Sequence, residues 1–415
     1  MLLSLSRGAA AALVLASAVL LPLLDPGTAT AAPLSPDDAV RAALRHDPTL
    51  ARAEADLLAA QGALRAASGP RHNPHVEARV AAAYVELEAV QPLSVTGEGF
   101  AAARSARGER DAAASDLRRA RLEAAARARL AWADAAVASG RAQLAAQALD
   151  LATHLREATG ARVDAGEAPA LDLRLARLEA AHAAANHLQA QAAAIQALRA
   201  LAEITGFGPD TFDAGADPLV AAPAFEAAGP KETTGSTPDR SDVIAADRRV
   251  DAARAAVARE RAAILPAVEL GAFYERDGDV AQVGPIVGVE VPLWQHNRGG
   301  VTAARGELLV AERAAEATRA RAETERLTSE RRYATLDATS AALGDGLGAE
   351  ASAALSSIEA GYRAGELDLL QTVLLRAEVV DGLGAYLDAR GAIAAARIDF
   401  LLTSESDALI PGGAE

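Results

Sequence analysis

The chain contains no cysteine, one methionine and one lysine (Lys231), and only 3% of its 415 residues are aromatic. Without cysteine there is no disulfide framework, no thiolate metal site and no thiol nucleophile. With so few aromatics, large anchors for a broad globular core are scarce. A net charge of −15 excludes a basic surface for holding nucleic acid. Beyond Leu24 no run of about eighteen unbroken apolar residues occurs, so no later transmembrane helix is expected. There is no Walker loop, no dinucleotide-type glycine pattern after a strand and no Gly-x-Ser-x-Gly elbow. The sequence therefore offers no catalytic residue, no cofactor site and no enzyme activity. What is abundant is alanine, at 111 positions, together with Leu, Glu and Arg. That composition predicts long helices.

Arg7 precedes an apolar stretch from Ala9 to Leu24, broken by Pro22, Asp25, Pro26 and Gly27. Ala29-Thr30-Ala31 then places small residues where a signal peptidase reads them. Residues 1–31 are expected to be a secretory signal peptide cut after Ala31. No cysteine follows, so a lipoprotein anchor is not expected.

Two stretches of the remainder follow one plan. Ala165-Gly166-Glu167 recurs as Ala364-Gly365-Glu366. At the same offset Leu171 matches Leu370, Arg177 matches Arg376 and Glu179 matches Glu378. Upstream, the helical segment Pro48–Ala67 runs into Asn73-Pro74-His75-Val76-Glu77, and Asp242–Ala263 into Leu265-Pro266-Ala267-Val268-Glu269. In each, proline closes a helix and a β-prone stretch begins. Two structural repeats are expected, 32–204 and 241–403, with a Gly/Pro-rich linker at 205–240 and a tail at 404–415.

The β-stretches alternate. Val268–Glu275, a turn at Asp277-Gly278-Asp279 and a strand from Val283 to Leu293 predict a hairpin with Val287, Val289, Val291 and Leu293 on one face. The first copy has only Val76–Val95 for two strands, and alternation is clear at Val85-Glu86-Leu87-Glu88. After each hairpin comes a very long helix. Ala101 to Val163 has no proline and spans roughly 90 Å at the α-helical rise. Its counterpart, Val301–Tyr362, is expected to kink at Gly344-Asp345-Gly346-Leu347-Gly348. Return helices are expected over Pro169–Ile204 and Leu367–Leu402.

Along nearly the whole length after residue 31, the sequence resembles the TolC-type outer-membrane efflux proteins. The resemblance is carried by Tyr362-Arg363-Ala364-Gly365-Glu366 with the helix after it, by Arg162–Asp172 and by Val289-Glu290-Val291-Pro292-Leu293-Trp294. Pro292–Gly300 and Gln91-Pro92-Leu93 are similar to the heavy-metal efflux (CzcC-like) branch. The resemblance implies a mainly α fold with a small β part, in a homotrimer. Long helical hairpins would form a periplasmic tunnel, and four short strands per chain would join a shared 12-stranded barrel in outer-membrane lipid. It implies a channel of a tripartite export system, working with a periplasmic adaptor (membrane fusion) protein and an inner-membrane transporter, the RND type among the options. The turns at Gly166-Glu167 and Gly365-Glu366 would be adaptor-docking tips. Asp172 and Tyr362 match the family's gate latch, with Leu367 at its arginine position. The acidic entrance positions correspond to Gln371 and Leu374, which leaves Asp368 as the candidate entrance acid.

The residues also admit plainer roles. Asp172 suits a helix first turn, and Glu167 and Glu366 suit solvated turns. His72 and His75 flank a corner as surface residues, so no metal site is assigned. The alternative function is a periplasmic coiled-coil scaffold or adaptor-like protein without a pore.

Overall fold

We describe residues 34–69, 73–82, 84–93, 97–208, 212, 240–264, 267–290, 296–343 and 347–412 of a computed structural model of the chain. The expected signal peptide, most of the linker, His72 and Trp294 lie outside these residues.

Two short helices, α1 (Pro36–His46) and α2 (Pro48–Ser68), come first. Each begins with proline, whose missing N–H is no loss in a first turn. Ser35 and Asp38 close a capping box on α1, and the Asp47 carboxylate accepts the Thr49 amide at 2.7 Å to start α2. Strands β1 (His75–Ala81) and β2 (Tyr84–Leu93) follow, then α3 (Glu98–Asp164) and α4 (Ala170–Thr205). The order recurs with α5 (Ser241–Ala262), β3 (Ala267–Asp277), β4 (Val280–Glu290), α6 (Arg298–Leu343), α7 (Leu347–Arg363) and α8 (Leu369–Thr403). Helix α3 has 67 residues, about 100 Å of continuous helix. Beyond α8, a single 3₁₀ turn, Asp407–Leu409, folds back onto the bundle.

Several boundaries differ from expectation. Pro169 is the N-cap of α4 rather than part of its first turn. Asp277 belongs to β3 and pairs with Val280, so the turn is only Gly278-Asp279. Gly278 has φ +57°, a conformation glycine adopts without a Cβ penalty. Of the kink expected at Gly344–Gly348, residues 344–346 lie outside the described residues; α6 is described to Leu343 and α7 from Leu347.

The helices pack on alanine. One cluster joins Val40, Leu122, Ala125, Ala126, Ala128, Ile398, Leu401 and Leu409. Small side chains let the backbones approach closely, and Gly108 marks the limit. A Cβ there would lie 2.9 Å from Ala252 Cβ on α5. Trp132 is buried, and its indole N–H donates to the Leu34 carbonyl at 2.7 Å, tying down the start of the described chain. No helix among the described residues is long and apolar enough to cross a membrane.

Candidate functional site: the sheet and the helical tips

The four strands form one antiparallel sheet in the order β1-β2-β3-β4. Directly opposed residues in such a sheet share a face. The register therefore fixes both faces. Val76, Ala78 and Val80 oppose Ala89, Leu87 and Val85. Leu87, Ala89 and Leu93 oppose Tyr274, Ala272 and Val268. Val268, Leu270 and Tyr274 oppose Val289, Val287 and Val283. Apart from Gln91 and Arg276, one face is thus apolar across all four strands, and it is the more exposed one: Val80 is 76% and Val283 77% exposed. The expected grouping of Val287 with Val289 is present; residues 291–295 lie outside the described chain.

The other face carries Glu77, Arg79, Glu86, Glu88, Glu269, Glu275 and Gln282. Arg79 donates to Glu77 and Glu86, both at 3.0 Å. Glu77 stands opposite Glu88 and Glu86 opposite Glu275. Like charges directly opposed are destabilising unless water or counter-ions screen them. Gly284 sits beneath the Phe273 ring, where a Cβ would come within 2.5 Å of it. Among the described residues, strands β1 and β4 each have one edge without a partner strand.

At the opposite end, both turns close identically. Gly166 N–H donates to Val163 O and Glu167 N–H to Arg162 O. Gly365 N–H donates to Tyr362 O and Glu366 N–H to Gly361 O. These are Schellman caps, with φ +77° at Gly166 and +75° at Gly365. Glu167 and Glu366 are exposed on the tips. Asp368 is the N-cap of α8: its carboxylate accepts the Gln371 amide at 2.7 Å, and Gln371 reciprocates. Asp368, the candidate entrance acid, and Gln371 therefore form one capping box.

The gate candidates are placed apart in their bonding. Tyr362 is 5% exposed and packs with Leu155, Ala176 and Leu369. Its hydroxyl lies 2.7 Å from Thr159 Oγ1. Thr159 spends its single proton on the Leu155 carbonyl, so Tyr362 is the donor in this bond. The Arg162 guanidinium lies 5.7 Å from the ring centre. Asp172 is half-buried in the first turn of α4, and Tyr362 donates to Thr159 rather than to it. Arg363 pairs with Glu359, and Leu367 folds against Gly361. Nearby, Arg376 of α8 is 6% exposed, ion-paired with Glu179 of α4 and bonded to the Ala148 carbonyl of α3 at 2.9 Å. Burial pushes its pKa below the usual arginine value. The sequence reading singled out neither Thr159 nor the Arg376–Glu179 pair. The only signal for Thr159 was a polar residue one turn after Leu155 on an apolar stripe.

A second polar knot lies at the start of α5. Arg240 is 4% exposed and bonds Asp242 at 2.7 Å, Glu325 at 3.0 Å and the Ala322 carbonyl. Glu405 accepts from Ser241 N–H and Oγ–H, capping α5 from the far end of the chain. Burial alone would raise the Asp242 and Glu325 carboxylates. The guanidinium bonds outweigh it and hold both below their ordinary values. No group of three or more His, Asp or Glu that could hold a metal occurs among the described residues.

Long helical hairpins on a four-stranded antiparallel sheet define the fold. No family model and no curated protein matches the chain in sequence. Solved structures match it in fold. A membrane protein from Pseudomonas aeruginosa superposes with a TM-score of 0.74 at 20% identity, over 89% of this chain and 92% of its own. CusC, described through its folding and transmembrane channel formation, gives 0.69 at 16% identity, over 90% of this chain and 92% of its own. The outer membrane protein VceC from Vibrio cholerae gives 0.67 at 22%, over 89% and 95%.

Proposed function

We propose that the chain is the outer-membrane channel component of a tripartite export system, a passive and non-enzymatic conduit. The reading is carried by one observation. Apart from Gln91 and Arg276, all four strands turn apolar residues to one face, and the carboxylates lie on the other, while β1 and β4 leave open edges among the described residues. In lipid every backbone group needs a partner, and an open sheet cannot supply one. Three copies joined edge to edge make a closed 12-stranded barrel, with the valine face to lipid and the carboxylates to a water-filled lumen. Water there screens the opposed glutamates. The helices then extend away as a periplasmic tunnel, and the Gly166 and Gly365 tips meet a periplasmic adaptor fed by an inner-membrane transporter. The resemblance at Gln91-Pro92-Leu93 makes metal ions the first substrate class to test.

The test is reconstitution of the purified protein in planar bilayers, with mass determination in mild detergent. A trimer with stepwise ion conductance is expected. A protein released with soluble periplasm, or a detergent-extracted trimer that never conducts, overturns the reading.

A further inference from the structure

The two tips have matching sequences but unequal burial. Arg376 is buried against Glu179, whereas the corresponding pair, Arg177 and Glu378, is exposed and makes no ion pair among the described residues. The same one-sidedness recurs around them. Ala176 is 1% exposed, while its counterpart Leu375 is 46% exposed. Leu369 is buried, while its counterpart Ala170 is exposed. Some corresponding positions do not differ: Leu171 and Leu370 are both 62% exposed. Corresponding residues exposed in both copies belong to a face that no described residue covers. Residues buried in one copy and exposed in the other mark an interface that the chain makes once and leaves open once.

We propose that a second copy of this chain covers the open one, with Arg177 entering between α7 and α8 of the neighbouring copy and pairing with its Glu378. This repeats between subunits the clamp that Arg376 and Glu179 make within each. It rests on the oligomeric reading above and names the contact that holds the tips together. Charge complementarity is retained, since each site joins one Arg to one Glu. Size complementarity is retained too. Within the chain Ala176 of α4 clusters with Leu369 of α8. Between copies Leu375 of α8 meets Ala170 of α4, the same large–small pair with the contributors exchanged. The contact is heterologous and closes into a ring after three copies.

Both residues are exposed in the single chain, so substituting them leaves the protomer fold unchanged, as circular dichroism would verify. Arg177→Glu or Glu378→Arg should move the trimer–monomer midpoint in detergent to about tenfold higher protein concentration, and the double swap R177E/E378R should restore it. Because the chain has no cysteine, R177C/E378C treated with a short bismaleimide gives an independent readout. Covalent three-chain rings are expected from the double variant and none from either single variant. If the unaltered protein is a monomer, the oligomeric reading itself fails. If it is a trimer and the double-cysteine variant does not cross-link, this pairing is wrong and the oligomeric reading stands.

Discussion

The Tyr362 hydroxyl on α7 and Thr159 Oγ1 on α3 lie 2.7 Å apart in a buried pocket, with tyrosine donating. The bond ties the second helical hairpin to the first just above the tips. Removing its two ends should not be equivalent. In Tyr362→Phe, Thr159 keeps its bond to the Leu155 carbonyl, and a loss of about 0.5–1.5 kcal/mol is expected. Thr159→Val leaves a buried hydroxyl without an acceptor and should cost about 1–3 kcal/mol. Denaturant melts of both variants check the order; a larger loss from Tyr362→Phe would contradict the donor assignment.

The gate prediction concerns Leu367. An arginine there could make a charge-assisted bond to Asp172 that leucine, folded against Gly361, cannot. Leu367→Arg should lower resting conductance in bilayers, and Asp172→Ala should raise it if Asp172 holds any part of the latch. Unchanged conductance in both variants would place the gate elsewhere, at the Tyr362–Thr159 contact first.

Gly365 needs a positive φ, and a Cβ there would meet no atom within 4 Å. The cost of Gly365→Val is therefore backbone strain at the tip, not a clash. Export in a complemented strain should fall while trimer mass and membrane insertion stay as they were. Normal export by this variant would remove the tip from adaptor docking.

Neighbouring strand residues should respond oppositely to charge. Val283 lies on the apolar face and Gln282 on the charged face. Val283→Arg should destabilise the inserted barrel by about 2–4 kcal/mol if it lies near the bilayer midplane, and Gln282→Arg should insert normally. Fractionation of outer membranes after expression distinguishes them, and equal insertion would contradict the lipid-facing assignment of the valines.

Acid should loosen the start of α5. Burial raises both carboxylates, but Arg240 holds Asp242 below its ordinary 3.8, and Arg321 together with Arg240 holds Glu325 below 4.5. Groups depressed in the folded state contribute stability that is complete above the unfolded pKa and is lost as pH falls through the folded one. Tm should be flat from neutral pH down to about 5 and drop below about 4.5. Arg240→Met should make that drop shallower, and an unchanged acid slope would show that the knot contributes nothing.

Much of this fold was legible because its signals are local. An alanine-rich stretch without proline makes α3, a glycine forced to positive φ makes each tip, and alternation makes the strands. The short first hairpin was legible as well, although β1 has only seven residues. Local pattern could not decide what covers each face. Arg177 and Arg376 occupy the same place in matching helices, yet one is exposed and the other buried. Asp368 and Gln371 looked like separate entrance positions, and the turn geometry made them one cap. Tyr362 suggested a latch to Asp172, but the approach of α3 gave its hydroxyl to Thr159 instead. The Tyr362–Thr159 and Arg376–Glu179 pairings join residues about two hundred positions apart, and whether a polar side chain is buried or solvated depends on which distant helix packs over it. The sequence by itself determined the elements, the turns and the two faces of the sheet; the packing of the two hairpins decided which polar groups became paired.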